Sequence, residues 1–177
     1  FFIAVNFSER LTISSSGSLR VLCSSFAVPR TELWSYFPPA RRCRGCPQGW
    51  TRIRRRCFLY VPRAMNWAAA ERNCLSMGGN LASVHTSTEY HLIQRLTAHN
   101  GYGVTWVGGT DAPGEGIWLW SDGSRFNYQN WCGGEPNNYL KQDCLQINFS
   151  GSKCWDDQHC HVNLPSICAR KISRRRG

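Results

Sequence analysis

The chain lacks any run of about eighteen apolar residues, the length that a membrane-spanning helix requires. Its apolar opening, residues 1–7, is far too short for such a span. That opening also has no basic leader and no starting methionine. We therefore expect no membrane span in this chain, and we expect its secretory signal to lie outside it.

Paired zinc ligands and a placed nucleophile are missing as well. Segments 43–46 and 159–161 carry cysteine and histidine at zinc-like spacing, but no second matching pair occurs. Segment 155–159 puts two acids near a histidine, yet no serine or cysteine nucleophile stands beside them. We therefore predict neither a zinc site nor an enzyme.

Acidic residues are scarce, with 11 Asp and Glu against 21 Lys and Arg, a net charge of +10. The excess lies mainly at the ends of the chain. Residues 1–57 carry ten arginines against two acids, or +8, and residues 58–177 carry eleven bases against nine acids, or +2. Three of those eleven bases are the arginines at 174–176. Because such runs are usually solvated tails, we predict no nucleic-acid partner.

Cysteine, in contrast, is abundant, with 10 in 177 residues. This usage predicts an oxidising compartment and a disulfide framework. Residues 1–42, rich in Ser and Pro and without a sustained period, read as a tail or linker. The domain is expected over 43–171, followed by a basic tail at 172–177. Asn6 and Asn148 each begin a glycan acceptor pattern, which applies only if the chain is secreted.

Two segments have the start and stop signals of helices. Asn66 can cap a helix over 67–76, which the glycine pair at 78–79 ends. The expected buried face of this helix consists of Trp67, Ala70, Cys74 and Leu75. Residues 86–89 form a capping box for a second helix that ends at Asn100-Gly101. Its expected buried stripe consists of Leu92, Ile93 and Leu96.

Strand patterns dominate the second half of the chain. The predicted strands are 57–60, 104–107, 118–120, 144–148, 153–155 and 166–169. A long polar loop at 126–141 separates the third from the fourth, and loops of that length usually mean function or disorder. Two helices followed by several antiparallel strands predict an α+β layered domain.

Two short segments, 131–144 and 154–157, concentrate side-chain oxygens. The candidate ligands of a hard cation are Glu135, Asn137, Gln142, Asp156 and Asp157. Calcium takes about six to eight oxygens at about 2.3–2.6 Å, which fits this inventory better than magnesium or zinc. A cis Glu135-Pro136 bond would turn Glu135 and Asn137 toward one point. The alternative is a polar hairpin loop with ordinary surface acids.

The Glu-Pro-Asn triplet followed by Trp-Asp-Asp between cysteines resembles the calcium and sugar site of C-type lectins. Further landmarks of the resemblance are segments 46–50, 67–74, 79–84, 106–109, 118–123 and Cys168. The resemblance covers 46–171 and is closest to fish lectins of the ladderlectin type and to type II antifreeze proteins. It implies two helices packed on short antiparallel sheets, with a long calcium-binding loop.

The resemblance also implies the disulfides Cys46–Cys57, Cys74–Cys168, Cys144–Cys160 and Cys132–Cys154. Cys23 and Cys43 are left over, able to pair with each other or to link a homo-oligomer.

The same resemblance implies a secreted, calcium-dependent lectin. It implies that all five candidate ligands hold Ca²⁺ and that the sugar contacts are Glu135, Asn137, Gln142 and Asp156. The Glu-Pro-Asn triplet implies mannose-like glycans. Gln142 stands where such lectins usually place a glutamate, so either Gln142 or Asp143 completes the site.

The rival function is ice binding, because antifreeze relatives share these loops. A face that binds ice has to be flat, regular and weakly charged. Loop 135–143 carries Glu135, Lys141 and Asp143 and no threonine, which favours the lectin.

Overall fold

A computed structural model of the chain describes residues 45–172. The predictions for the tail 1–42, Cys23, Cys43, Asn6 and the arginines at 174–176 lie outside the described residues, and the domain boundaries stay predictions. The elements in order are β1 (Thr51–Ile53), β2 (Arg56–Met65), α1 (Trp67–Ser76), β3 (Asn80–Leu81), α2 (Ser87–Leu96), a short 3-10 turn (Ala98–Asn100), β4 (Thr105–Thr110), β5 (Leu119–Trp120), β6 (Cys144–Phe149), β7 (Cys154–Gln158) and β8 (Leu164–Lys171).

The strands join in one sheet of order β1-β2-β8-β4-β6-β7, with β3 on β8 and β5 on β4. Pairing is antiparallel except between β4 and β8, where Trp106 and Ser166 are parallel partners. The last strand lies in the middle of the sheet, so β2 and β8 bring the two ends of the domain together. The predicted α+β class with two helices and short strands is confirmed. No helix of residues 45–172 has the length and apolar character needed to cross a membrane.

Both helices begin where their caps predict. The Asn66 side chain accepts a hydrogen bond from Ala69 N at 2.8 Å, and Thr86 Oγ1 accepts one from Glu89 N at 3.1 Å. The Glu89 carboxylate in turn accepts from His85 N at 2.9 Å. The first two bonds each satisfy a backbone donor that the first helical turn leaves unpaired, and the third fixes the residue before the N-cap of α2.

The predicted buried face of α1 is wrong at one residue, Leu75. Leu75 is 53% exposed, whereas Ala70 and Cys74 are fully buried. The sheet covers only the narrow strip of α1 that contains Ala70 and Cys74, so Leu75, one residue further round the helix, faces solvent.

The core beneath the long loop is aromatic and centres on Trp155. This indole is fully buried. It meets five rings edge-on, those of Tyr90, Trp120, Phe126, Tyr128 and Trp131. Edge-to-face pairs of this kind are favourable beyond the area they bury. They position β7, on which Trp155 lies, against the start of the loop.

The glycine pair at 108–109 on β4 is required by close packing. A Cβ on Gly108 would lie 2.7 Å from Leu81 O and from Ser121 Oγ. A Cβ on Gly109 would lie 2.7 Å from Leu145 Cδ1. Any side chain here would push β4 away from its neighbours.

Four disulfides staple the described domain, and they are the pairs that the resemblance implies. They are Cys46–Cys57, Cys74–Cys168, Cys132–Cys154 and Cys144–Cys160.

Replacing Cys74 and Cys168 with Ser should destabilise the domain more than replacing Cys132 and Cys154. The sequence separations are 94 and 22. For loops of these sizes, the chain-entropy model gives about 4.7 and about 3.4 kcal/mol. Urea unfolding of each double-Ser variant, with the wild type as reference, measures the difference. Equal midpoints for the two variants would contradict it.

The acceptor pattern at Asn148 is buried. Asn148 is 2% exposed, and its Nδ2 donates to Thr97 Oγ1 at 2.9 Å and to Gly103 O at 3.1 Å. Its backbone adopts φ 66°, a conformation that Asn tolerates better than most residues. Asn148 therefore has a structural role that accounts for its presence without a glycan.

We expect no glycan at Asn148 when the protein is expressed through a secretory pathway. An Asn6→Gln variant should keep its mass after N-glycosidase treatment. Asn148→Ala should lower the unfolding free energy by about 1–3 kcal/mol, because Thr97 and Gly103 lose a buried partner. The matched control is Ser150→Ala, which removes the acceptor pattern but leaves the amide; it should change neither mass nor stability appreciably. A loss of mass from the Asn6→Gln variant would refute the assignment.

Candidate metal centre

Three carboxylates from two distant segments meet at one point. Oxygens of Glu135, Asp156 and Asp157 all lie within 4.8 Å of one another. Within residues 45–172 this is the one group of three or more Asp, Glu, His or Cys that is close enough to share a metal ion. We call these three residues the acid cluster.

Strand β7 supplies two members of the cluster. Antiparallel pairing with β6 sets their positions, with Leu145 opposite Asp157 and Gln146 opposite Asp156. Asp156 is 5% exposed and Asp157 is fully buried. The predicted strand 153–155 therefore ends later than expected, and both acids belong to a regular strand.

The long loop brings Glu135 to the cluster. Cys132 is bonded to Cys154, and its N–H donates to Trp155 O at 2.9 Å. Glu135 N then donates to Cys132 O at 3.0 Å. The Glu135-Pro136 bond is cis, the geometry considered for it from the sequence.

Asp157 organises the residues that follow. Its two oxygens accept from Asn137 N at 3.0 Å and from Asn138 N at 2.6 Å. Asp156 accepts from Gln146 Nε2 at 2.6 Å. In contrast, Glu135 Oε2 is buried and has no hydrogen-bond partner. That oxygen is the unsatisfied member of the cluster.

Among residues 45–172, no basic side chain forms an ion pair with the cluster. The two ion pairs among the described residues both involve Arg56 and lie elsewhere. Desolvation raises the pKa of Glu135, and the charges on Asp156 and Asp157 raise it further. Desolvation also raises the pKa of Asp156, against the hydrogen bond from Gln146. Crowded, partly desolvated carboxylates are costly unless protonated or bound to a cation.

The donor set fits a hard cation. All three groups of the cluster offer oxygen, and the orphaned Glu135 Oε2 is a free ligand atom. Carboxylate oxygens in a flexible arrangement are the ligands that calcium prefers, whereas zinc favours nitrogen and sulfur. The chemistry of the acid cluster therefore fits a calcium ion.

The structure engages the other two predicted ligands in local bonds. Asn137 Oδ1 accepts from Tyr139 N at 2.8 Å. Gln142 Nε2 donates to Gln158 Oε1 at 3.3 Å. An amide oxygen has two lone pairs, so Asn137 Oδ1 keeps one for a further partner. Both residues stay predicted ligands.

Asp143, the alternative to Gln142, faces another acid. Its backbone oxygen accepts from Thr110 Oγ1 at 2.7 Å and from Asp111 N at 3.2 Å. Asp143 does not belong to the acid cluster. Desolvation raises the pKa of Asp111, and the charge of Asp143 raises it further.

Sequence analysis missed Asp111. This residue is 2% exposed, and its Oδ1 is buried without a partner. Its Oδ2 accepts from Gly116 N at 2.9 Å. The sequence around Gly116 is typical of an ordinary turn. The only feature that could have pointed to Asp111 was its spacing from Glu115, just before that glycine.

The model of the Lectin C-type domain family matches residues 63–170. Ladderlectin of Oncorhynchus mykiss is 46% identical over 129 residues, covering 71% of this chain and 68% of ladderlectin. The galactose-specific lectin nattectin of Thalassophryne nattereri is 42% identical over 137 residues, covering 75% of this chain and 84% of nattectin.

Among solved structures, herring type II antifreeze protein is similar to this chain with a TM-score of 0.70 and 36% identity. The match covers 72% of this chain and 100% of the antifreeze protein. The same fold is therefore found in relatives named as lectins and in one named as an antifreeze protein.

Without divalent ions, the unfolding free energy should rise as pH falls from 7 to about 4. Folded-state pKa values of Glu135, Asp156 and Asp111 are raised above their ordinary values, so the folded state takes up protons before the unfolded state does. The gain is complete near the unfolded carboxyl pKa of about 4.

Urea unfolding in EDTA across that pH range tests the prediction. A parallel series with millimolar calcium should show the opposite slope, because protons then compete with the bound cation. Identical slopes in the two series would contradict an uncompensated acid cluster.

Proposed function

The chain belongs to the C-type lectin family, and from that premise we propose that it binds carbohydrate through a calcium ion at the acid cluster. The observation that carries the proposal is the meeting of three carboxylates, one of them with a buried, unpartnered oxygen. Four disulfides support the further proposal that the protein is secreted.

The carboxylates of Glu135, Asp156 and Asp157 are the proposed anionic ligands. The amide oxygens of Asn137 and Gln142 complete the proposed set, as implied by the family resemblance. When bound, calcium supplies open coordination positions for two neighbouring sugar hydroxyls.

The ligand side chains also contact the sugar. Glu135 accepts a hydrogen bond from a hydroxyl, and the Nδ2 of Asn137 donates one to a neighbouring hydroxyl. This order of acceptor and donor selects hydroxyl pairs by their direction. The Glu135-Pro136-Asn137 triplet supports equatorial pairs, as in mannose-like sugars.

Galactose is the second candidate, favoured by Tyr139. This side chain is 66% exposed and lies two residues after Asn137. Galactose has an axial 4-hydroxyl, which leaves one ring face lined by C–H groups that pack on an aromatic side chain. Nattectin, whose printed name specifies galactose, is among the relatives.

Ice binding is the rival on the same fold, as the antifreeze relative illustrates. Loop 135–143 carries Glu135, Lys141 and Asp143, and Lys141 is exposed. A charged and irregular loop disfavours a flat ice-binding face. Relatives of the family are lectins and antifreeze proteins, and no catalytic activity is proposed.

Affinity columns of immobilised mannose and galactose test the function. The wild type should be retained in calcium and released by EDTA. Asp157→Asn should abolish retention at low calcium, because it removes a ligand charge and weakens the two loop hydrogen bonds. Glu115→Gln is the matched control, since Glu115 is an exposed acid outside the acid cluster, and this variant should still be retained.

Two variants distinguish mannose from galactose as the ligand. Glu135→Gln with Asn137→Asp keeps the charge of the triplet and reverses donor and acceptor, so retention should move toward galactose. Tyr139→Ser should weaken galactose retention and leave mannose retention unchanged. Thermal hysteresis of the wild type together with no retention on either column would overturn the proposal in favour of ice binding.

A further inference from the structure

A tight turn next to the acid cluster displays two apolar side chains. Lys141 N donates to Asn138 O at 3.2 Å, and Gln142 N donates to Asn138 Oδ1 at 3.0 Å. The central residues of this turn are Tyr139 and Leu140, which are 66% and 71% exposed. We call Tyr139 and Leu140 the apolar tip.

Leu140 is an unfavourable residue for its position. Its φ is 53°, in the left-handed region that glycine and asparagine adopt at lower cost. It is also the most exposed of the exposed large hydrophobic residues in segment 45–172. Neither local conformation nor solubility accounts for a leucine here, and the combination of positive φ and high exposure motivates a functional hypothesis for this residue.

The apolar tip is held by the acid cluster on one side and by the residue that follows β7 on the other. Before the tip, Asn137 N and Asn138 N donate to the Asp157 carboxylate at 3.0 and 2.6 Å. After it, Lys141 O lies 3.3 Å from His159 Nδ1, which follows β7 directly. The backbone of the apolar tip therefore lies next to the acid cluster.

Building on the proposed function, we propose that the ligand is a sugar linked to an apolar aglycone, as in a glycolipid. The sugar occupies the acid cluster, and Leu140 and Tyr139 pack on the first methylenes of the aglycone. Lys141 is exposed at the end of the turn. Its ammonium group stays in water while its methylene groups cover the apolar surface of the aglycone.

The size of the tip favours this occupant over a protein. A stable protein interface buries roughly 1,200–2,000 Å², and an aromatic side chain supplies only about 150–250 Å² of that. Two side chains are too few for a partner protein or a second copy of the chain. They match the few methylenes of an alkyl chain next to its sugar.

Calorimetry with paired glycosides tests the proposal. The probes are methyl and octyl α-mannoside, and methyl and octyl β-galactoside, in calcium and below the micelle concentration of the octyl compounds. For the sugar that binds, we expect the octyl glycoside to bind about tenfold more tightly than the methyl glycoside.

Leu140→Asn is the decisive variant because Asn suits the positive φ. It should leave methyl glycoside affinity and melting temperature unchanged and remove the octyl advantage. Ile117→Ser is the matched control, since Ile117 is 65% exposed outside the turn; it should retain the full octyl advantage.

The outcomes separate the two proposals. Binding of neither methyl nor octyl glycoside overturns the proposed function and this inference together. Equal affinities for methyl and octyl glycosides overturn the inference alone, as does a marked loss of melting temperature in Leu140→Asn. Self-association of the wild type that Leu140→Asn removes, seen by sedimentation, would instead assign the tip to a second copy of the chain.

Discussion

The burial of two adjacent acids on β7, beside the tryptophan at the centre of the core, is the constraint on which the site depends. Trp155 is fixed by edge-on contacts with five rings. Asp156 and Asp157 follow it directly and are held at 5% and 0% exposure. The long loop then folds onto Asp157 through two backbone donors. The same carboxylate is therefore both a loop anchor and a proposed ligand.

Two other acids of the domain are compensated by the protein itself. Glu89 pairs with Arg56 at 3.0 Å. Burial of Asp122 opposes its ionisation, yet hydrogen bonds from Ser124 and Ser83 lower its pKa. The acid cluster has no cationic partner among residues 45–172, and the pKa values of Glu135 and Asp156 move in the opposite direction. This contrast supports an external cation for the cluster.

The scaffold and the proposed site lie in different parts of the domain. Strands β2 and β8 bring the ends of the domain together, and the bridge Cys74–Cys168 ties α1 to β8. Several of the proposed sugar-binding groups lie in the loop 131–143. Relatives named as lectins and as antifreeze proteins are similar over about the same part of this chain. The fold therefore identifies the family, and function has to be argued from the loop.

Local signals were sufficient for the starts of the helices, because the caps at Asn66 and Thr86 act within one turn. The second helix ends at Leu96, before the predicted Asn100-Gly101, and a short 3-10 turn follows it. The sequence alone was also enough to predict Glu135, Asp156 and Asp157 as oxygen ligands. The disulfide pairs required the family resemblance, since spacing alone leaves many connectivities open.

Only the tertiary structure decided the remaining features. Leu75 faces solvent because the sheet covers one strip of α1, and Asn148 is a buried amide because α2 and the loop after it close over it. Asp111 lies next to Asp143 through strand pairing that no local pattern encodes. Leu140 takes a left-handed conformation because the bonds of Asn138 close the turn around it. In each case, contacts between segments far apart in sequence, or a fold-dependent backbone conformation, determine the environment of the residue.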